Sequence, residues 1–134
     1  MIGPHEGQEL DLMLAGLKHL SMFHDDITND QFTPEDIIPE KKFEPYVESK
    51  TFLRFEKTLI THDKTHLKYV CFTHPDHTWR ANAFFWIKEM VIQNSEKTDA
   101  AYELFIGRLL GYQDNDIHNF IEQNNLSLAS TIRT

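Results

Sequence analysis

The chain has 134 residues, 40% of them hydrophobic, and a formal net charge of −8 at pH 7. This length suits one domain, and ten phenylalanines and two tryptophans supply apolar surface for a core, which argues against a disordered chain. The acidic balance argues against direct nucleic-acid binding, because proteins that bind DNA or RNA present a basic surface. We therefore expect a single compact domain over residues 1–134.

Features that would direct the chain to a membrane or out of the cell are not found in the sequence. No apolar run approaches the ~18–20 residues of a membrane-spanning helix, and the first residues lack the basic and apolar regions of a signal peptide. The lone Cys71 cannot form an internal disulfide, which favours a reducing compartment. These features predict a cytoplasmic protein without a membrane partner.

The N-terminal third predicts a helix, a strand and a long acidic loop. Apolar side chains recur at the i, i+3, i+4 and i+7 positions of an amphipathic helix near residues 7–17. These side chains are Leu10, Met13, Leu14 and Leu17. The alternating HLSMFH predicts a strand near residues 19–24, and the acids and turn formers of DDITNDQFTPED predict a loop over residues 25–36. Loops of this length are often functional.

The middle of the chain predicts a short helix followed by a hairpin. Pro39 suits the first turn of a helix through PEKKFEPYVES, which Pro45 would bend or end. Residues 51–62 and 66–74 are rich in β-branched and aromatic side chains and are separated by DKT, which predicts an antiparallel hairpin. Because the second segment has apolar groups on both faces, we expect it to be an inner strand.

The C-terminal half predicts helices, near residues 78–93, 96–110 and 114–124. Thr78 is placed to cap the first, whose two apolar arcs indicate a central helix that packs on the sheet and on other helices. Gly111 is placed to end the second. Together these patterns predict an α+β fold, in which an antiparallel hairpin or small sheet packs against a mostly C-terminal group of helices.

Negative charge is concentrated at the N-terminal end of the chain. Residues 1–50 hold eleven acids and four bases, a net charge of −7, whereas residues 51–92 hold four acids and six bases, a net charge of +2. An acidic surface attracts a cationic protein and raises the rate of association. Solubility is the alternative reason for such charge. The candidate partner-binding residues are the acids of the predicted loop, Asp25, Asp26, Asp30, Glu35 and Asp36.

Eight histidines raise the question of a metal site. His74, Asp76 and His77 lie within four residues, and two imidazoles with one carboxylate are sufficient ligands for a transition metal. Arg80 follows in the first helical turn, where it is placed to contact an anion beside His77. The alternative is structural, since the same loop forms the turn that starts the helix, and the Arg80 stem can cover apolar surface.

The other histidines lie away from this loop. His66 and His74 stand at opposite ends of a predicted strand, roughly 26 Å apart at about 3.3 Å per residue. His62 and His66 flank a turn instead of sharing one face of a helix, so they make a weak metal site. His19 and His24 bracket the first predicted strand. A carboxylate for the His74–His77 loop would therefore come from that loop itself or from the acidic loop.

The sequence favours a protein-interaction role over two alternatives. Inhibitors, immunity proteins and antitoxins that bind a basic protein are often of this size and acidity, and the chain has no catalytic motif. This role requires no cofactor. One alternative is a small metal- or anion-binding enzyme that uses His74, Asp76, His77 and Arg80, the one reading in which a divalent metal would be bound. The other is a small-ligand-binding domain with a pocket between the hairpin and the helix of Trp79 and Trp86.

Overall fold

A three-stranded antiparallel sheet lies at the centre of the fold. The computed structural model describes residue 5 and residues 7–29, 32–93 and 100–123. The strands are β1 (Leu20–Asp26), β2 (Leu53–Ile60) and β3 (His66–Thr73), in the order β1–β3–β2. Thr73 of β3 lies opposite Leu20 of β1 and Leu53 of β2. β3 is therefore the inner strand that its two apolar faces predict.

Five α-helices flank the sheet in the described part of the chain. They are α1 (Glu9–Leu14), α2 (Glu40–Glu48), α3 (Thr78–Gln93), α4 (Ala100–Leu109) and α5 (Asp114–Gln123), and a 3-10 turn at Pro75–His77 precedes α3. The α+β prediction is confirmed. The predicted starting point of α4 at residue 96 and the predicted end of α5 at residue 124 lie outside the described residues. None of the described helices is both long and apolar enough to cross a membrane.

Buried side chains form a core on each face of the sheet. The core on the side of α1 and α2 contains Leu10, Met13, Ile38, Phe43, Phe52, Val70 and Phe72. The core on the side of α3 and α4 contains Leu20, Leu59, Tyr69, Cys71, Ala81, Phe84, Phe85, Ile106, Leu109 and Leu110. Alternate residues of β3 contribute to both cores, because successive side chains of a strand point to opposite faces. Three of the five described helices are C-terminal, and the two N-terminal helices, α1 and α2, cover one face of the sheet.

Two helices near the N-terminus differ from their predictions. α1 ends at Leu14, before Gly16 with its φ of +75°, a left-handed conformation that glycine adopts without strain. Of the predicted apolar stripe, Leu10 and Met13 are buried, whereas Leu14, the last residue of the helix, and Leu17, beyond its end, are exposed. α2 continues through Pro45 to Glu48, so that proline does not end the helix.

β1 continues two residues beyond its predicted end. Asp25 and Asp26 pair with Lys68 and Leu67 of β3, and the amide of Ile27 donates to the carbonyl of His66 at 2.9 Å. The first two acids of the predicted loop therefore belong to the edge strand of the sheet. Since strand residues have fixed positions, this correction determines where their carboxylates lie.

α3 exposes both of its tryptophans. Ala81, Phe84 and Phe85 are buried against the sheet, whereas Trp79 is 54% exposed and Trp86 is 63% exposed. The buried side chains come from both predicted apolar arcs, since Phe84 lies on the arc of Trp79 and Trp86, whereas Ala81 and Phe85 lie on the other arc. The two tryptophans themselves lie outside the core.

The helical conformation before α3 starts earlier than predicted. His74 is extended, with φ −65° and ψ 151°, and the 3-10 turn begins at Pro75. Thr78 already has helical dihedral angles, φ −61° and ψ −28°, so it is not the N-cap. A proline at the first position of a helical turn loses no hydrogen bond, because the amide there has no partner in the helix.

Candidate functional site

A groove of about 1160 Å³ runs along the free edge of β1. The consecutive residues Met22–Asp26 line it, together with the segment 35–39 and Lys42 on one side and α4 and α5 on the other. Met22 and His24 face the core of α3 and α4, whereas Phe23 and Asp25 face the core of α1 and α2. Because residues from both faces of β1 line the groove, the edge of the sheet itself opens into it.

The groove is strongly acidic. Seven carboxylates line it, and Lys42 is the one lysine or arginine among its described lining residues. The carboxylates belong to Glu9, Asp25, Asp26, Glu35, Asp36, Glu103 and Asp116. The structure therefore brings together four of the five predicted partner-binding residues and adds three acids from α1, α4 and α5. The fifth, Asp30, lies outside the described residues.

Apolar side chains lie among these acids. Ile106 and Leu110 line the groove from the end of α4, Ile117 lines it from α5, Ile37 lines it from the segment 35–39 and Met22 from β1. Ile37 is exposed, Ile106 and Leu110 belong to the core on the side of α3 and α4, and Ile117 is buried in a small cluster with Ala100 of α4. Apolar surface bordered by charged groups is the usual arrangement of a protein–protein interface.

Two of the predicted acids, Asp25 and Glu35, also hold the local structure. A carboxylate oxygen of Asp25 accepts a hydrogen bond from the hydroxyl of Thr33 at 2.9 Å. Glu35 accepts the amides of Lys41 and Lys42 at 3.0 Å each, in the first turn of α2. An acidic side chain at that position complements the helix dipole. These two carboxylates thus tie the groove wall to the rest of the fold.

Asp26 and Asp36 differ in their surroundings. The hydroxyl and the amide of Thr28 both donate to Asp26, and these hydrogen bonds lower the pKa of its carboxyl group. Asp36 is exposed, and within the described residues it accepts no hydrogen bond. Among the four predicted acids that the structure describes, Asp36 therefore has the carboxylate most available to a partner.

Glu103 belongs to a half-buried polar cluster that the sequence reasoning missed. Burial raises the pKa of the Glu103 carboxyl group, although the charge of Lys88 opposes the shift. The Lys88 ammonium lies 5.2 Å from the ring centroid of Tyr102 and 5.9 Å from that of Tyr69. His24 stacks on Tyr69 at 5.6 Å, and burial followed by the charge of Lys88 lowers its pKa. The sequence offered one indication of this cluster, since Glu103 is the one acidic residue of α4.

The predicted histidine site forms at the opposite end of β1 from Asp25 and Asp26. The ring of His77 stacks on that of His19, with centroids 3.9 Å apart, and His74 lies 5.9 Å from His19. The Nε of Arg80 donates to Nδ1 of His77 at 3.2 Å. His19 was not among the predicted site residues, and it joins them because β1 starts beside the end of β3.

His74 and Arg80 of this histidine cluster have structural partners. Nε2 of His74 lies 2.8 Å from the carbonyl oxygen of Met13, and Nη1 of Arg80 donates to the carbonyls of Arg108 and Leu109 at 3.3 Å each. These last two carbonyls are at the end of α4, where a helix needs donors. Arg80 thus links α3 to α4.

Within the described ranges, neither Asp76 nor the acids of the predicted 25–36 loop join the histidines in a metal-binding group. Asp76 is exposed, and Asp25 and Asp26 lie at the far end of β1. No group of three or more His, Cys, Asp or Glu side chains in the described ranges is arranged to hold a metal ion. The metal-binding hypothesis thus gains no support from the described residues.

A smaller cleft of about 370 Å³ lies between β2 and α3, where the ligand pocket was predicted. Phe55, Phe85 and Trp86 line it, and Lys57 donates to Glu89 at 2.7 Å across it. Because Trp86 is mostly exposed there, the cleft is open to solvent. The acidic groove is the larger of the two and carries more of the predicted site residues.

Comparisons with protein-family models, with curated protein sequences and with solved structures find no match to this chain. The geometry and charge of the groove are therefore the basis for a functional proposal.

Proposed function

We propose that this chain is an acidic interaction module that binds a more basic protein through the groove along β1. Inhibitors, immunity proteins and antitoxins of this kind act by such binding and need no catalytic residues. The observation that carries the proposal is the lining of the groove, in which seven carboxylates and one lysine surround apolar side chains. A basic segment in this groove would meet opposite charge on both walls.

Charge of this density supports fast and salt-sensitive association. Complementary electrostatic fields guide a partner toward the groove before contact, and salt screens that attraction beyond about 8–10 Å at physiological ionic strength. The apolar side chains between the acids supply contact area that salt does not weaken. We place this interaction in the cytoplasm, which is consistent with the free and buried thiol of Cys71.

The test uses two variants with equal loss of charge. The groove variant neutralises carboxylates that line the groove. It leaves Asp26 and Glu35 intact, because each of these accepts two hydrogen bonds from its own loop or helix, whereas Asp25 accepts one, which the side-chain oxygen of asparagine can still accept. Its substitutions are Asp25→Asn, Asp36→Asn, Glu103→Gln and Asp116→Asn. The control variant neutralises four exposed acids that do not line the groove. Its substitutions are Asp11→Asn, Glu44→Gln, Glu48→Gln and Glu122→Gln.

The three proteins are immobilised and exposed to an extract of the source organism, and retained proteins are quantified by mass spectrometry. We expect basic proteins that the wild type and the control retain to be lost from the groove variant. Each exposed charge pair contributes about 0.5 kcal/mol or more, so the loss of four carboxylates should raise the dissociation constant of the purified partner roughly thirtyfold or more. Equal retention by both variants, or binding that salt leaves unchanged, would contradict the proposal.

A further inference from the structure

We propose that the groove receives an extended segment of the basic partner, which pairs with β1 and adds a fourth strand to the sheet. This inference rests on the proposed function and specifies how the partner binds. Strand addition is a common mode of peptide recognition, in which main-chain hydrogen bonds supply affinity and alternate side chains supply specificity.

The main-chain groups of β1 that face the groove have no partner within the described residues. The amide of His74 donates to the carbonyl of His19 at 3.3 Å, and the amide of Ile27 donates to that of His66 at 2.9 Å. In an antiparallel pair, alternate residues of a strand direct their amide and carbonyl toward the same neighbour. The odd-numbered residues of β1 therefore bond to β3, and the amides and carbonyls of Met22 and His24 point to the groove.

The dimensions of the groove suit a short strand. The residues that line it, Met22–Asp26, extend over about 16 Å at about 3.3 Å per residue. Sheets usually protect such an edge with lysines, prolines or a covering segment. Here the described residues leave a channel beside β1, and the charges on that strand are Asp25 and Asp26. An edge that carries acids is protected against a second acidic chain and remains attractive to a basic one.

The two walls indicate which sequence would pair best. A strand beside β1 would direct alternate side chains toward the wall of α4 and α5, where Glu103 and Asp116 lie beside the largely buried Ile106 and Ile117, and toward the opposite wall, where Asp25 and Asp36 lie. The occupant is therefore an extended segment that carries lysine or arginine together with apolar residues. Charge complementarity selects this segment over a second copy of the chain, whose net charge is −8.

The test uses the peptide acetyl-Lys-Val-Arg-Ile-Lys-Val-Lys-amide and two N-methylated forms of it, with the full-length protein. One form carries methyl groups on the amides of its basic residues, and the other carries them on the amides of its apolar residues. Both keep every charge and side chain. Only one of the two sets of amides can face β1, so we expect one form to bind at least tenfold more weakly than the unmethylated peptide and the other form to retain its affinity.

Amide hydrogen exchange supplies the second readout. The amides of Met22 and His24 should exchange rapidly in the free protein and slowly in the peptide complex. The amides of Phe23 and Asp25 are the matched controls, because they bond to β3 and should be protected in both states.

Three outcomes would overturn strand addition. Equal binding of all three peptides, with no protection of Met22 and His24, would refute pairing and leave a purely charge-based interaction in agreement with the proposed function. Failure of the unmethylated peptide to bind at about 50 mM salt, where exposed charges are weakly screened, would refute the predicted occupant. Sedimentation of the free protein as a dimer, with Met22 and His24 already protected, would assign the edge to a second copy.

Discussion

Lys18 is a buried lysine whose replacement should change how the stability of the protein depends on pH. Its side chain is 1% exposed, and its ammonium donates to the carbonyl of Leu110 and lies 2.9 Å from Nδ1 of His5. Burial lowers the pKa of Lys18 from 10.5 to about 7, although the charge of Glu9 opposes the shift. Lys18→Met removes the titrating group and keeps an unbranched apolar side chain.

The direction of the effect follows from the two pKa values. The unfolded chain holds the Lys18 proton up to about pH 10.5, whereas the folded chain releases it near pH 7. Between these values the unfolded state binds about one more proton, so a rise in pH favours the folded state by up to about 1.4 kcal/mol per unit. From about pH 7.5 to about pH 9, Lys18 should contribute an increase of about 2 kcal/mol to the free energy of unfolding.

Urea denaturation followed by circular dichroism measures this increase in the wild type, in Lys18→Met and in the exposed control Lys41→Met. We expect the difference in the free energy of unfolding between the wild type and Lys18→Met to change by about 2 kcal/mol between about pH 7.5 and about pH 9. The same difference between the wild type and Lys41→Met should stay constant. Burial raises the pKa of the Cys71 thiol, which lowers stability at higher pH. Because Cys71 is present in all three proteins, its effect cancels in the differences between them. Parallel curves for the wild type and Lys18→Met would refute the reasoning.

Two further predictions concern the packing of the cores. Gly107→Ala would place a methyl group 2.7 Å from Cγ1 of Ile117, so we expect it to lower the free energy of unfolding by about 1–3 kcal/mol, although alanine favours helices. In urea denaturation, the double variant with Gly107→Ala and Ile117→Ala should lose less free energy of unfolding than the sum of the losses of the two single variants. Additive losses would contradict the close contact. Burial also raises the pKa of Cys71, so a thiol reagent should label the native protein far more slowly than the urea-unfolded protein, and equal rates would show that the thiol is accessible.

The sheet could be predicted from the sequence because the apolar pattern of β3 is compatible with one position in a sheet. Tyr69 and Cys71 alternate with Val70 and Phe72, and only an inner strand with both faces covered buries all four side chains. The pattern of α3 has no single solution, since either of its two apolar arcs could face the sheet. Side chains of both arcs do so, Phe84 from one arc and Ala81 and Phe85 from the other.

The candidate site could be predicted only in part. Asp25 and Asp36 belong to one acidic stretch, so a charge count along the chain identifies them. Glu103 and Asp116 lie on later helices, and they reach the groove because α4 and α5 pack beside β1. Charge density at a surface depends on such long-range packing, which no local pattern contains. Long-range packing also brings His19 beside His77.

The acids of the groove have consequences for how a partner would bind. Asp25 and Glu35 accept hydrogen bonds from Thr33 and from the first turn of α2, and Asp26 accepts them from Thr28. A carboxylate has about four acceptor positions, so each can hold its own wall and still accept a donor from a partner. Because these bonds order the wall before association, less conformational entropy is lost on binding. Salt should therefore act mainly on the rate at which a basic partner arrives, and much less on the shape of the groove that receives it.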